Sequence, residues 1–210
     1  MINSQAESPN EQRAVLVILG STRSRRLCPK IGEWVIRIAR ENSSLIYEIV
    51  DLADWRLPSD DEPRIPASGC YSQEHTRAWS HKVSKTGGFV FVTPQYNWGY
   101  PAPLKNAIDH LYEEWRGKPL LIITYGAHGG GKCAVQLRQV ADGLQMRTLA
   151  AMPQLILTHE MIEEGSIEPN VDFASYVEDV HRGIAELVVE MKADAPDGRI
   201  LQNSKSPPNT

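Results

Sequence analysis

The chain has 210 residues, 41% of them hydrophobic and 23% charged, with a formal net charge of −4. That length fits one large domain or two small ones whose core needs no staples, and the mild negative charge argues against a broad nucleic-acid-binding face. No apolar run approaches the ~20 residues that span a bilayer.

The opening MINSQAESPNEQR has no apolar centre, so residues 1–13 read as a flexible lead-in rather than a signal peptide. Five apolar stretches then recur along the chain: AVLVILG from Ala14, LIYEIVDL from Leu45, GFVFVTP from Gly88, PLLIITYG from Pro119 and TLAAMPQLIL from Thr148. The first, third and fourth are unbroken β-branched and leucine-rich runs, the pattern of strands covered on both faces in a parallel sheet. Helical spacing fills the gaps. PKIGEWVIRIARE sets Ile31, Trp34, Val35 and Ile38 on one side, AVQLRQVADGLQM does so with Val135, Leu137, Val140, Ala141 and Leu144, and the segment from Phe173 offers Val177, Val180, Ile184, Leu187 and Val188. Alternating strand and helix predicts one doubly wound α/β domain over 14–192, with five parallel strands and helices on both faces; residues 193–210 form a flexible tail.

Ligands of such sheets gather beyond the carboxyl ends of the strands, so the loops after the first, third and fourth strands matter. The first, GSTRSRRLCPK from Gly20, places a tight turn, hydroxyls (Ser21, Thr22, Ser24) and cations (Arg23, Arg25, Arg26) at a helix start. A helix N-terminus with such donors favours an anion, and a phosphate monoester suits it. The spacing is neither GxxxxGK[ST] nor GxGxxG, which disfavours a triphosphate or dinucleotide cradle. Pro29 donates no N–H there.

The second loop, TPQYNWGYPAPLKNAID from Thr93, leaves a strand at a proline and exposes aromatic and amide side chains before a helix that tolerates Pro103 in its first turn. A flat ligand, apolar at one end and rich in acceptors at the other, fits that mixture; Trp98 and Tyr100 read equally as cavity lining or as loop and interface anchors. The third, TYGAHGGGK, lets the backbone approach a ligand and aim consecutive N–H groups at an anion. Gly129, Gly131 and Ala134 spell G-x-G-x-x-A, but after the fourth strand and without the acidic partner that a dinucleotide fingerprint needs. His128 reads first as a turn residue and second as an acid or cation.

VILGSTRSRRLCPKIGEWV, TPQYNWGYPAPLKNAID and ITYGAHGGGKCAVQLR, in this order, resemble the NADPH-dependent FMN reductase family, which includes flavodoxin-like quinone reductases and azoreductases of bacteria and fungi. The resemblance covers roughly Val15 to Leu157. It implies a flavodoxin-like fold, FMN as cofactor with NADPH or NADH as co-substrate, and a homodimer or tetramer. It gives Ser21 and Arg23 to the phosphate, with Arg25 beside them. Pro94, Gln95, Tyr96 and Asn97 fall to the isoalloxazine, and Tyr125, Gly126, His128 and Gly129 to its pyrimidine end. The implied reaction is ping-pong hydride transfer through the flavin to a quinone, azo compound or similar acceptor, with no indispensable side-chain acid or base.

Two rivals remain. A flavodoxin-like electron carrier is usually more acidic and lacks an arginine like Arg23; a flavin-binding redox sensor or regulatory partner stays open.

Other constellations are absent. The histidines show no metal spacing, no G-x-S-x-G elbow occurs, and His110 beside Asp109 reads as a surface or interface residue. Cys28, Cys70 and Cys133 form no CxxC pair and suit a reducing, cytoplasmic setting, Cys28 reading as a buried inert thiol. Asp51 to Gly69, long and proline-rich, reads as a surface loop that could also wall a substrate cavity or meet a second subunit.

Overall fold

The computed structural model describes residues 14–55, 57–59 and 62–193. The predicted lead-in, 1–13, and the tail beyond residue 193 lie outside the described residues. In chain order the elements are β1 (Val15–Leu19), α1 (Cys28–Asn42), β2 (Tyr47–Asp51), α2 (Glu74–Ser84), β3 (Gly88–Pro94), α3 (Ala102–Asp109), β4 (Pro119–Gly126), α4 (Gly131–Gly143), β5 (Arg147–Thr148), β6 (Gln154–Ile156), α5 (His159–Glu164), α6 (Pro169–Asp172) and α7 (Val177–Ala193).

The strands pair in parallel in the order β2-β1-β3-β4-β5, with β6 also on β4. Every residue of β1 and β3 is buried, because successive side chains point to opposite faces and both faces are covered. Val15, Val17, Val90, Val92, Leu121 and Ile123 meet α1 and α7, while Leu16, Ile18, Phe89, Phe91, Leu120 and Ile122 meet α2, α3 and α4. With both faces apolar, shape must fix the register. Phe89 and Phe91 stand 4.9 and 6.1 Å from the Trp115 ring, a fit that a one-residue slip would destroy.

The fifth apolar run does not make one continuous strand. Pro153 has no N–H for the ladder, so the chain leaves β4 after Thr148 and rejoins it at Gln154. Val135 lies on the outer side of α4 and is 54% exposed; Cys133, Ala134, Leu137 and Ala141 face the core instead. The last helix starts at Val177, since Ala174–Tyr176 form a 3-10 turn.

His110 is fully buried rather than a surface residue. Its ring folds back on its own helix, where Nδ1 lies 2.7 Å from the Asn106 carbonyl and must carry the proton. The long segment after β2 is fastened at its start: Trp55 packs 4.9 Å from Trp79, and Asn106 Nδ2 donates to the Leu57 and Pro58 carbonyls.

Candidate active site

Three strands end side by side at Leu19, Pro94 and Gly126, and their loops converge. Sequence order reverses between β1 and β3, and that switch point opens a crevice in doubly wound sheets. At the bottom of the first loop Gly20 donates its N–H to the Val92 carbonyl at 2.9 Å. A Cβ there would come within 2.8 Å of Thr93 Oγ1, so only glycine fits so close to β3.

Beyond Gly20 the chain turns upward with its donors open. Among the described residues, the backbone N–H groups of Thr22, Arg23 and Ser24 make no hydrogen bond. No acidic side chain stands in the first turn of α1, and its N-terminus has no side-chain cap. Ser21 is wholly buried, and its hydroxyl bonds to that of Tyr96 at 2.8 Å. The Arg23 guanidinium rests on the Tyr96 ring, 3.8 Å from its centroid. Open N–H groups, a hydroxyl and a cation at one helix start form a cradle suited to a dianionic phosphate.

The other two arginines turn elsewhere. Arg25 Nη2 donates to the Glu164 carbonyl at 2.7 Å, a cation at the C-terminal end of α5. Arg26 pairs with Asp51 at 2.6 Å and so joins the first loop to the end of β2. Neither partner was visible in the sequence, because each lies in a distant segment.

The second loop is a tight turn. Tyr96 and Gly99 exchange backbone hydrogen bonds of 2.8 and 2.9 Å, with Asn97 and Trp98 at φ of 48° and 71°. Left-handed backbone at two consecutive non-glycine residues is costly, and two ladder bonds hold it. The turn pushes Asn97 and Trp98 outward, Trp98 being 63% exposed with Lys132 Nζ 4.9 Å above its ring. Lys132, the only cation in GGGK, is a site neighbour that its place in a glycine run does not advertise.

Gln95 ties the second loop to the third. Its N–H donates to the Tyr125 carbonyl at 2.9 Å, and its Oε1 accepts from Cys133 N, at the start of α4, at 3.1 Å. The amide therefore caps that helix, so Gln95 offers a ligand only its backbone.

Tyr125 points away from the crevice. Its hydroxyl lies 2.7 Å from Cys28 Sγ in the core, and the thiol reaches the Val92 carbonyl at 3.6 Å. Burial pushes the Cys28 thiol up to about 11 and holds the Tyr125 phenol well above its usual range, so both stay neutral. The loop that follows Tyr125 carries the accessible groups. Gly129 and Gly130 take φ of 73° and 87°, and Thr124 Oγ1 donates to the Gly129 carbonyl at 2.9 Å. His128 is exposed at the loop tip. Gln154 of β6, also unforeseen, packs under Gly129 and Gly131.

Among the described residues no helix is long and apolar enough to cross a membrane, and no group of three or more His, Cys, Asp or Glu side chains is placed to hold a metal. Sheet order and helix placement together define a flavodoxin-like α/β protein whose first, second and third loops meet beyond the carboxyl ends of the strands. The model of the NADPH-dependent FMN reductase family matches residues 14–156.

An NAD(P)H-dependent FMN reductase of Schizosaccharomyces pombe is 52% identical over 174 residues, 82% of this chain and 87% of that protein. One of Saccharomyces cerevisiae is 46% identical, covering 65% of this chain and 77% of the relative. The chain belongs to the NADPH-dependent FMN reductase family, oxidoreductases that work with FMN and NAD(P)H. In fold it is similar to a flavoenzyme NAD(P)H:acceptor oxidoreductase of Paracoccus denitrificans, with a TM-score of 0.66 at 20% identity over 85% of this chain and 98% of that one.

The residues present fit FMN. The open N–H groups of 22–24 with Arg23 and Ser21 match a phosphate, and the turn at Asn97 and the glycine loop stand beside them at the same end of the sheet.

Proposed function

We propose that the chain is an FMN-dependent NAD(P)H oxidoreductase that delivers reducing equivalents to quinones, azo compounds or similar acceptors. The observation that carries this reading is the joining of the three loops. Tyr96 links the second to Ser21 and Arg23 of the first, and Gln95 links it to Tyr125 and α4 of the third. Such wiring makes one continuous binding surface.

FMN, when bound, supplies the chemistry of accepting a hydride and passing it on. The chain's own work is to hold and orient. Ser21, Arg23 and the N–H groups of 22–24 hold the phosphate. The backbone of Pro94, Gln95, Tyr96 and Asn97 follows the ring edge. The loop from Gly126 to Gly130, at the start of α4, would bring backbone N–H groups and the positive end of that helix to the pyrimidine end of the ring. Arg25 does not belong to this set, since its guanidinium serves α5. His128, exposed at the loop tip, needs no role as acid or base.

Nicotinamide and acceptor would each react at the same bound flavin and so take turns, which is a ping-pong scheme. A homodimer or tetramer in the cytoplasm is the expected state. Trp98 and Val135, 63% and 54% exposed, offer apolar surface for the second copy.

The test is the visible spectrum of the purified protein, before and after NADPH under nitrogen and again after a quinone. Yellow colour that bleaches and returns supports both half-reactions. Colour that NADPH leaves unchanged favours a carrier or sensor. A colourless protein that takes up no added FMN overturns the reading.

A further inference from the structure

Arg26 is drawn into two side-chain bonds that meet at the first loop. Its Nη2 donates to Asp51 Oδ2 at 2.6 Å, and its Nη1 donates to the Arg23 carbonyl at 3.3 Å. The same carbonyl accepts the Arg26 backbone N–H at 3.2 Å. Asp51 is itself held. It ends β2 directly beside Leu19, the last residue of β1, and its Oδ1 accepts the Ala53 N–H at 2.9 Å. The sheet thus fixes the carboxylate, the carboxylate fixes the guanidinium, and the guanidinium fixes one carbonyl of the loop.

A trans peptide is planar, so its C=O and N–H point in opposite directions. Turning the Arg23 carbonyl toward Arg26 therefore turns the Ser24 N–H the other way, and that N–H makes no hydrogen bond among the described residues. The geometry points to Arg26 as a positioning residue: held by Asp51, it aims the Ser24 N–H at the flavin phosphate. This rests on the first loop being the phosphate site, as argued above.

Arg26 acts here through the backbone rather than as a charge for the ligand. Its side chain and that of Asp51 are 19% and 14% exposed, and together they form a neutral, partly buried pair. The guanidinium suits the task because its planar fork holds two acceptors at a set angle, which the point donor of a lysine does not.

The experiment titrates FMN and riboflavin into the flavin-stripped full chain, followed by quenching of flavin fluorescence. It compares wild type, Arg23→Ala and a double variant carrying Arg26→Met with Asp51→Asn. The double variant removes both charges together, so net charge is unchanged while the Arg23 carbonyl loses its anchor. It should bind FMN about five- to thirtyfold more weakly, the cost of ordering about one freed backbone residue on binding. Riboflavin should bind as it does to wild type. Because no net charge is lost, the FMN deficit should be the same at low and high salt, whereas that of Arg23→Ala should narrow. In wild type the Ser24 amide resonance should move when FMN binds and stay in place when riboflavin binds.

Equal FMN affinity in the double variant and wild type overturns the proposal, and a deficit in Arg23→Ala then keeps the phosphate site standing. An equal loss for FMN and riboflavin overturns it as well, since that marks a general loosening of the site. If Arg23→Ala binds FMN as wild type does, the phosphate assignment itself fails and the proposal with it. Thermal midpoints of the stripped proteins show whether each variant is folded. Should the double variant not fold, Arg26→Lys takes its place; it retains the pair with Asp51 without the second prong, and its FMN deficit should be smaller and equally specific to the phosphate. Wild-type FMN affinity in Arg26→Lys would overturn the proposal in that case.

Discussion

Replacing Arg23 with alanine is the most direct probe of the cradle, and its size can be worked from the structure. Arg23 is exposed and rests on the Tyr96 ring. A charge-assisted bond to phosphate is worth about 1.5–3 kcal/mol. Leaving the ring forfeits about 0.5–1 kcal/mol at an exposed site. The difference, about 1–2 kcal/mol, predicts FMN binding weakened by about 5- to 30-fold.

Because the group is exposed, salt should screen the effect, and the gap between variant and wild type should narrow at high ionic strength. Titration of the stripped protein with FMN at two salt concentrations reads both effects. Arg25→Ala is the internal comparison. Its guanidinium caps α5 and should change FMN affinity by less than about twofold while lowering the melting point slightly. Equal affinity of Arg23→Ala and wild type, or a larger loss in Arg25→Ala, would refute the reasoning.

Other consequences concern the supports of the site. Gly130→Ala forces a side chain onto φ of 87° with its Cβ 2.7 Å from that of Thr124, and should cost at least about 2 kcal/mol in urea denaturation; a neutral result would contradict this backbone. Gln95→Ala removes the acceptor for Cys133 N and should cost about 1 kcal/mol of stability, whereas Gln95→Glu, which keeps an acceptor at the start of α4, should recover most of it.

Cys28 gives a pH signature. Its thiol is raised from 9.0 to about 11, first by burial. Its contribution is therefore intact below about pH 9 and is lost as pH rises, because the unfolded thiol ionises while the folded one cannot, amounting to about 2–3 kcal/mol by pH 11. Denaturation midpoints at rising pH should fall less steeply in Cys28→Ala than in wild type. Identical slopes would mean that the Cys28–Tyr125 pair is not buried as described.

The sheet was legible wherever one physical cause dominated. VLVIL, GFVFVTP and PLLIITYG are apolar without a break, which only strands buried on both faces require, and all three are strands. The fifth run failed as a single strand because apolar content says nothing of a ladder donor, and Pro153 lacks one. Glu74–Ser84 escaped notice because its core contacts rest on Thr76, Trp79 and Val83 amid polar residues. His110 was misread for a related reason. Its place in the core depends on a bond to a carbonyl one turn back, and polarity alone points such a residue outward.

At the site, the sequence located the loops but could not assign their side chains to partners. Ser21 and Tyr96 are 75 residues apart, Cys28 and Tyr125 97 apart, and Arg25 reaches a carbonyl 139 residues away. Three arginines in RSRR look equivalent as a string, yet one faces the crevice, one caps α5 and one pairs with Asp51. Their division follows from α1 itself. Once the helix axis is set by burial of Ile31, Trp34, Val35 and Ile38, residues at successive positions before it must project in different directions, and each finds the nearest complementary group. A cation count therefore overstates the charge available to a phosphate. On this reading a single arginine, with three open N–H groups and the Ser21 hydroxyl, balances a dianion. That is why the affinity should respond so strongly to Arg23 and so weakly to Arg25.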